Sequence, residues 1–110
     1  MEIIYHLIRA AEWASAEASG RVIPDSLAEE GFIHCSGTEE QALAVAGRLY
    51  PGRKDMLVLE VDTERLDSPL KREPSRSGEI YPHIYGPLPT SAVVRVRPVD
   101  IDADGNFLLP

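Results

Sequence analysis

"DMLVLEVDTERL" (residues 55–66) decides how the rest of the chain must be arranged. Its apolar run, Met56 to Val61, reads as a strand interrupted by a single charge, Glu60. A strand that loses the polar alternation of a half-exposed one is covered on both faces, so this segment is expected to be central. Outward from it, "SPLKREPS" (68–75) reads as a shorter edge strand, because proline cannot donate to a central ladder. "SAVVRVRPVDI" (91–101) alternates Val94 and Val96 with Arg95 and Arg97, the pattern of a half-buried strand. Between these two, "SRSGEIYPHIYGPLP" (75–89) is rich in Gly, Ser and Pro and is expected to be mostly loop.

In the other direction, "SGTEEQALAVAGRLYPG" (36–52) has Ala42, Val45, Ala46 and Leu49 on one helical face and ends at "YPG". "FIHC" is a short strand, and "PDSLAEEG" (24–31) gives one or two helical turns with Asp25 or Ser26 as cap and Gly31 as stop. "AAEWASAEAS" (10–19) is made of helix formers and stops at Gly20, and "EIIYHLI" (2–8) is a first strand. The order is β-α-(α)-β-α-β-β-loop-β. Because the later strands lack crossover helices, it predicts one α+β domain over 1–110 with antiparallel or mixed pairing and two main helices.

Composition narrows the function classes. The 110 residues include 11 basic and 18 acidic side chains, a formal net charge of −7. Binding along a nucleic acid needs clustered Lys and Arg to displace counterions, so a broad nucleic-acid surface is not expected, although a small basic pocket fits. The opening "MEIIYHLIRAAEW" is broken by Glu2, His6 and Arg9 and fits neither a signal sequence nor a membrane span. One cysteine cannot form an internal disulfide, and a cytoplasmic location is the expectation. The oligomeric state is left open by the sequence.

The chemistry-bearing residues are few: three histidines and one cysteine. In "GFIHCS" (31–36) strand alternation sets His34 with Phe32 and Ser36, and Cys35 with Ile33. With Ile33 and Cys35 toward the core, His34 and Ser36 face a cleft or solvent together. Cys35 is then a small apolar core residue, and His34 is badly placed to activate it. Ser36 or Thr38 caps the following helix, a reading favoured over a phosphate site because Glu39 and Glu40 already occupy the first turn. His6 alternates with Ile4 and Ile8 and alone reads as a hydrogen-bonded core or edge histidine. Tyr81, His83 and Tyr85 share parity, so they either stack on a planar ligand or pack their rings on the sheet.

Two metal readings arise. "DIDADG" (100–105) matches the start of a calcium loop, but the chain ends before the required glutamate, so an acidic turn is expected. Three imidazoles and a water would suffice for a catalytic zinc, which makes a metal-dependent hydrolase one alternative, yet no close-spaced histidine pair is present and no metal ligand is assigned.

"IIYHL", "GFIHCS" and "HIYGPLP", taken together, resemble the mainly bacterial family known as domain of unknown function 952 over essentially the whole chain. The resemblance implies an ADP-ribosyltransferase-like fold, a small mixed or antiparallel split sheet around a nucleotide cleft. Tyr5–His6 stands where that fold has a signature whose histidine holds the ribose of NAD, and His34 and Ser36 fall near its ring-contacting positions. A catalytic glutamate is expected near the last strands, but Glu73 and Glu79 lie in no matching motif. Arg72, Arg76, His34 and His83 would mimic the phosphate-binding set of the related RNA 2′-phosphotransferases, against which the acidic composition argues as far as an RNA substrate is concerned. The resulting expectation is a small-molecule, nucleotide-like ligand such as NAD or an ADP-ribose derivative. His6, Ser36, Tyr81, Tyr85 and Arg72 would bind it, with His34 and His83 as acid–base candidates. The main alternative is a non-catalytic binding or interaction module on the same fold.

Overall fold

The computed structural model describes residues 1–110. β1 (Ile3–Arg9) leads into α1 (Ala10–Ser19), followed by β2 (Arg21–Val22), α2 (Asp25–Glu30), β3 (Ile33–His34) and α3 (Glu39–Leu49). β4 (Met56–Asp62), β5 (Leu70–Pro74), β6 (Ile80–Ile84), β7 (Leu88–Pro89), β8 (Val93–Pro98), β9 (Asp100–Ile101) and β10 (Phe107–Leu108) complete the chain. Every strand pair is antiparallel. The expected α+β class, with α1 and α3 as the longer helices, is what the structure shows. No helix is long and apolar enough to cross a membrane.

β4 lies between β1 and β8 in one three-stranded sheet, as its apolar run requires. Its two faces serve two cores. Leu59 and Val61, with Ile4 and Ile8 of β1, pack into a cluster containing Ala16 of α1 and Ile33, Ile84 and Leu88. Met56 and Val58 instead join Ala46 of α3, Val99 and Phe107. The second three-stranded sheet has the order β3-β6-β5 and shares the first core. The two sheets meet at one isolated bridge, where Tyr5 N–H donates to the Ser36 carbonyl at 2.8 Å and Ser36 N–H donates to the Tyr5 carbonyl at 2.7 Å.

The segment expected to be loop differs most. Its first part is a turn, where Gly78 at φ 88° lets the Ser75 N–H reach the Glu79 carbonyl at 2.8 Å, and a bend follows at residues 85–86. Ile80–Ile84 then forms β6, the centre of its sheet, despite Pro82. The Pro82 carbonyl accepts from Cys35 N–H at 3.0 Å, so the reciprocal bond to the Cys35 carbonyl is the one proline cannot make, and the β3–β6 ladder ends there.

Helix ends and strand faces also depart in detail. Thr38, not Ser36, caps α3 by accepting from Gln41 N–H at 3.1 Å, and neither Asp25 nor Ser26 caps α2, whose N-terminal flank is Pro24. α3 buries Ala42 and Ala46, with Leu43 against the second core, while Leu49 is exposed. In "DIDADG" the Asp102 carboxylate accepts from the backbone N–H of Asp104 and of Asn106, both at 2.9 Å, which makes it a turn brace.

On β8 the valines Val94 and Val96 are exposed and Arg97 is half-buried, against the alternation expected, while Arg95 is exposed. β8 is an edge strand, so its apolar face is left partly uncovered, whereas α3 and the chain end cover the arginine face. Arg97 Nη1 lies 3.1 Å from Glu60 and 3.2 Å from Glu39, and its Nη2 donates to the Pro110 carbonyl at 3.4 Å. Only 12% of the Arg97 side chain and 15% of Glu60 remain exposed. Arg97→Ala leaves Glu60, at low exposure, with only the exposed Arg95 at 3.8 Å, and is expected to cost about 3 kcal/mol, the low end for breaking such a pair. Glu39→Gln, which touches a more exposed partner, is expected to cost less than about 1 kcal/mol. Urea unfolding of both variants checks the order.

Candidate functional site

Beyond the Tyr5–Ser36 bridge β1 and β3 diverge, because β3 pairs with β6 instead. A cavity of about 770 Å³ opens there, lined by all three histidines and by Phe32, Ser36 and Tyr81, with Arg9, Arg48, Arg53 and Arg76 also on its wall. α2 contributes Asp25, Ser26 and Glu30.

His6 is buried on the inward face of β1, between Ile4 and Ile8. Its Nδ1 lies 2.7 Å from the His34 carbonyl oxygen. A carbonyl only accepts, so Nδ1 carries the proton and Nε2, which has no partner in the chain, keeps its lone pair. Burial pushes the His6 pKa below its ordinary value, and the bond to the His34 carbonyl opposes this only in part. His6 is therefore a neutral imidazole with one fixed tautomer.

His34 stands on the opposite face of β3 from Ile33 and Cys35. Its Nε2 donates to Glu30 of α2 at 2.6 Å, a pair about half exposed and so worth less than about 1 kcal/mol. His34 pairs across the strands with His83, and their ring centroids are 5.4 Å apart, edge to face. Phe32 lies beside both, 4.9 Å from the His34 ring and stacked on the His83 ring at 4.1 Å. His34 and His83 thus gather at Phe32, and His6 meets them through the His34 carbonyl.

Strand register explains the His83 environment. Lys71 lies opposite His83, and Glu73 opposite Tyr81, which places Glu73 diagonal to His83 on one face. Glu73 Oε1 accepts from His83 Nδ1 at 2.8 Å and from the Tyr85 hydroxyl at 2.5 Å. These two bonds, Tyr85 first, hold the Glu73 pKa below the usual carboxylate value, and the same bond raises that of Tyr85. Glu73 was visible in the sequence only as a carboxylate without a motif; its two-residue offset from the position facing His83 appears only with the register.

The remaining expectations divide. Ser36 is buried and lines the cavity, though it does not cap. Tyr81 lines the cavity and donates to Glu79 at 3.3 Å. Tyr85 does not line it: its ring lies 5.3 Å from Phe32, with Lys71 Nζ 4.7 Å from its centroid. Arg72 is a correction. Parity sends it to the face of β5 away from His83, where it pairs with Glu2 at 2.6 Å, outside the cavity. Cys35 is buried, and burial pushes its thiol far above the ordinary value, which leaves it inert as a nucleophile. No three His, Cys, Asp or Glu side chains are arranged to hold a metal ion.

The sign of the His6 shift sets a pH dependence. The unfolded chain binds its proton near pH 6.5, while the folded chain resists protonation, so stability is intact above that pH and falls as pH drops below it. The urea midpoint is expected to decline between about pH 6.5 and 5, and less steeply in His6→Gln than in the native chain. Equal slopes would show that His6 is not held neutral.

The protein is similar to CC0527 from Caulobacter crescentus. The crystal structure of that protein superposes with a TM-score of 0.84 at 41% identity, covering 96% of this chain and 93% of that one. Its solution NMR structure gives 0.80 at 42% identity, covering 96% and 91%. No curated protein matches the chain significantly. The family model described as protein of unknown function, DUF952, matches residues 7–96. The chain belongs to the DUF952 family.

Proposed function

We propose that the cleft binds a nucleotide-like small molecule of the NAD or ADP-ribose class. The observation that carries this reading is the lining: all three histidines and four arginines face one cavity in a protein of net charge −7. Arg9 and Arg53 are paired with Glu12 and Asp55, whereas Arg48 and Arg76 have no carboxylate partner. Two uncompensated guanidiniums suit the phosphates of such a ligand. The neutral His6, with Nε2 as acceptor, suits a ribose hydroxyl, and Phe32 and Tyr81 supply aromatic surface for a ring. Two antiparallel sheets that join at one bridge and part around the cavity support the ADP-ribosyltransferase-like arrangement.

One observation favours binding without ribosyl transfer. Such a transfer calls for a carboxylate beside the ribosyl cation; neither Glu73 nor Glu79 lines the cavity, and of the carboxylates that do, Glu12 is paired with Arg9 and Glu30 with His34, which leaves Asp25 of α2. Glu73 is engaged by His83 and Tyr85, and Glu79 by Tyr81 and Gln41. The reading of a nucleotide-binding module without ribosyl transfer rests on that.

Thermal melts with NAD, ADP-ribose and ADP test the cleft. A ligand at 100 times its Kd stabilises by about 2.7 kcal/mol, enough to raise the Tm of a domain this size by about 10 °C. Arg76→Ala and Arg48→Ala are expected to reduce the shift without lowering the Tm of the free protein. No shift with any of the three compounds would remove the nucleotide reading.

A further inference from the structure

We propose that Glu73, His83 and Tyr85 form a proton-accepting site on the cleft wall, in which His83 Nε2 takes the proton of a hydroxyl group, from water or from an alcohol of the bound molecule. It rests on the reading of the cleft as a ligand site and deepens it by assigning chemistry to the β6 wall.

The geometry separates His83 from the other two histidines. Its Nδ1–H donates to a carboxylate, which leaves the Nε2 lone pair without a partner in the chain. The ring is clamped: Phe32 stacks on it with an interplanar angle of 20°, and His34 meets it edge to face at 80°. Only 12% of the side chain is exposed, yet the residue lines the cavity, so what access it has includes that space. His6 has the same tautomer, but a neutral carbonyl behind Nδ1 cannot offset the charge of an imidazolium. His34 has a carboxylate partner, but through Nε2, in a pair open to solvent that screens it.

The step balances within these groups. The O–H bond breaks, the N–H bond forms at Nε2, and the electron pair stays on the oxygen. The positive charge gained by the imidazole is offset by Glu73 through the Nδ1–H bond, and no other reactant is needed. His83 is the catalytic residue of this site, and Glu73 and Tyr85 are positioning residues. Tyr85 donates to the same Oε1 as His83 does, so it fixes that oxygen beside the ring. Lys71, over the Tyr85 ring, adds positive charge near Glu73 and favours its ionised form.

Nitrogen-15 NMR of the imidazoles in the ligand-free protein tests this, together with diethyl pyrocarbonate modification located by mass spectrometry. His83 is expected as the Nδ1–H tautomer with Nε2 unprotonated. Glu73→Ala should abolish that preference and slow modification of His83 several-fold, with His34 unaffected. Glu73→Gln, whose amide keeps an acceptor oxygen, should restore the tautomer, and Tyr85→Phe should retain it. An Nε2–H tautomer in the native protein overturns the proposal, as does a His83 modification rate equal in native, Glu73→Ala and Glu73→Gln proteins. Should Glu73→Ala not fold, the native tautomer and the Glu73→Gln rate still decide. No nucleotide is present, so failure here and failure of nucleotide binding are separate results.

Discussion

Two backbone hydrogen bonds between Tyr5 and Ser36 hold the architecture together as a two-sheet structure. They are the one place where the β1 edge of one sheet is laddered to the other. Had the pairing continued past them, the strands would have closed into a single sheet with no room between β1 and β3. Because β3 turns to β6, the pairing stops and the space beyond it becomes the cavity. The His6 ring then reaches across to the His34 carbonyl just inside that divergence. A polar side chain satisfies a backbone group that a strand would otherwise have taken.

β1 and β6 supply most of the chemistry through alternation. On β1, Ile4, His6 and Ile8 face the first core while Tyr5 and Leu7 face α3, so a buried imidazole sits among aliphatic side chains. On β6, Pro82 and Ile84 are buried, and Tyr81 and His83 face the cavity. The surrounding charge is distributed unevenly. A chain with an excess of acidic groups lines its cavity with two arginines that have no carboxylate partner, one from α3 and one from the β5–β6 turn, while many of its carboxylates are spent on ion pairs or on turn bracing.

Much of the fold was legible in the sequence where hydrophobic runs were decisive. The central β4, the long helix α3, the edge position of β5 and the glycine stops of α1 and α2 all follow from local patterns. β6 was not legible, because proline and glycine around it carry the same signal as a loop. What made it a strand is nonlocal: β3 on one side, β5 on the other, and a missing donor that falls beyond the end of β3. β8 misled for a related reason, since only the tertiary position of α3 decides that Arg97, not Val96, is covered. The histidines stood out by rarity and parity, but Glu73 did not, because a diagonal neighbour depends on register. Arg72 fails on parity, once β5 is paired.

Gln41 gives the cleft a mechanical character that its lining does not reveal. Its side chain accepts from Gly37 N–H at 2.7 Å and donates to the Ile80 carbonyl at 3.1 Å and to Glu79 at 3.3 Å. All three contacts are exposed, and water competes for each of them. Near the shared aliphatic core the two sheets are held by close packing that resists displacement. At the tip of the β5–β6 hairpin, α3 is joined to the second sheet by exchangeable polar contacts. The hairpin that carries Tyr81 and His83 is thus anchored by close packing at one end and by water-exchangeable contacts at the other.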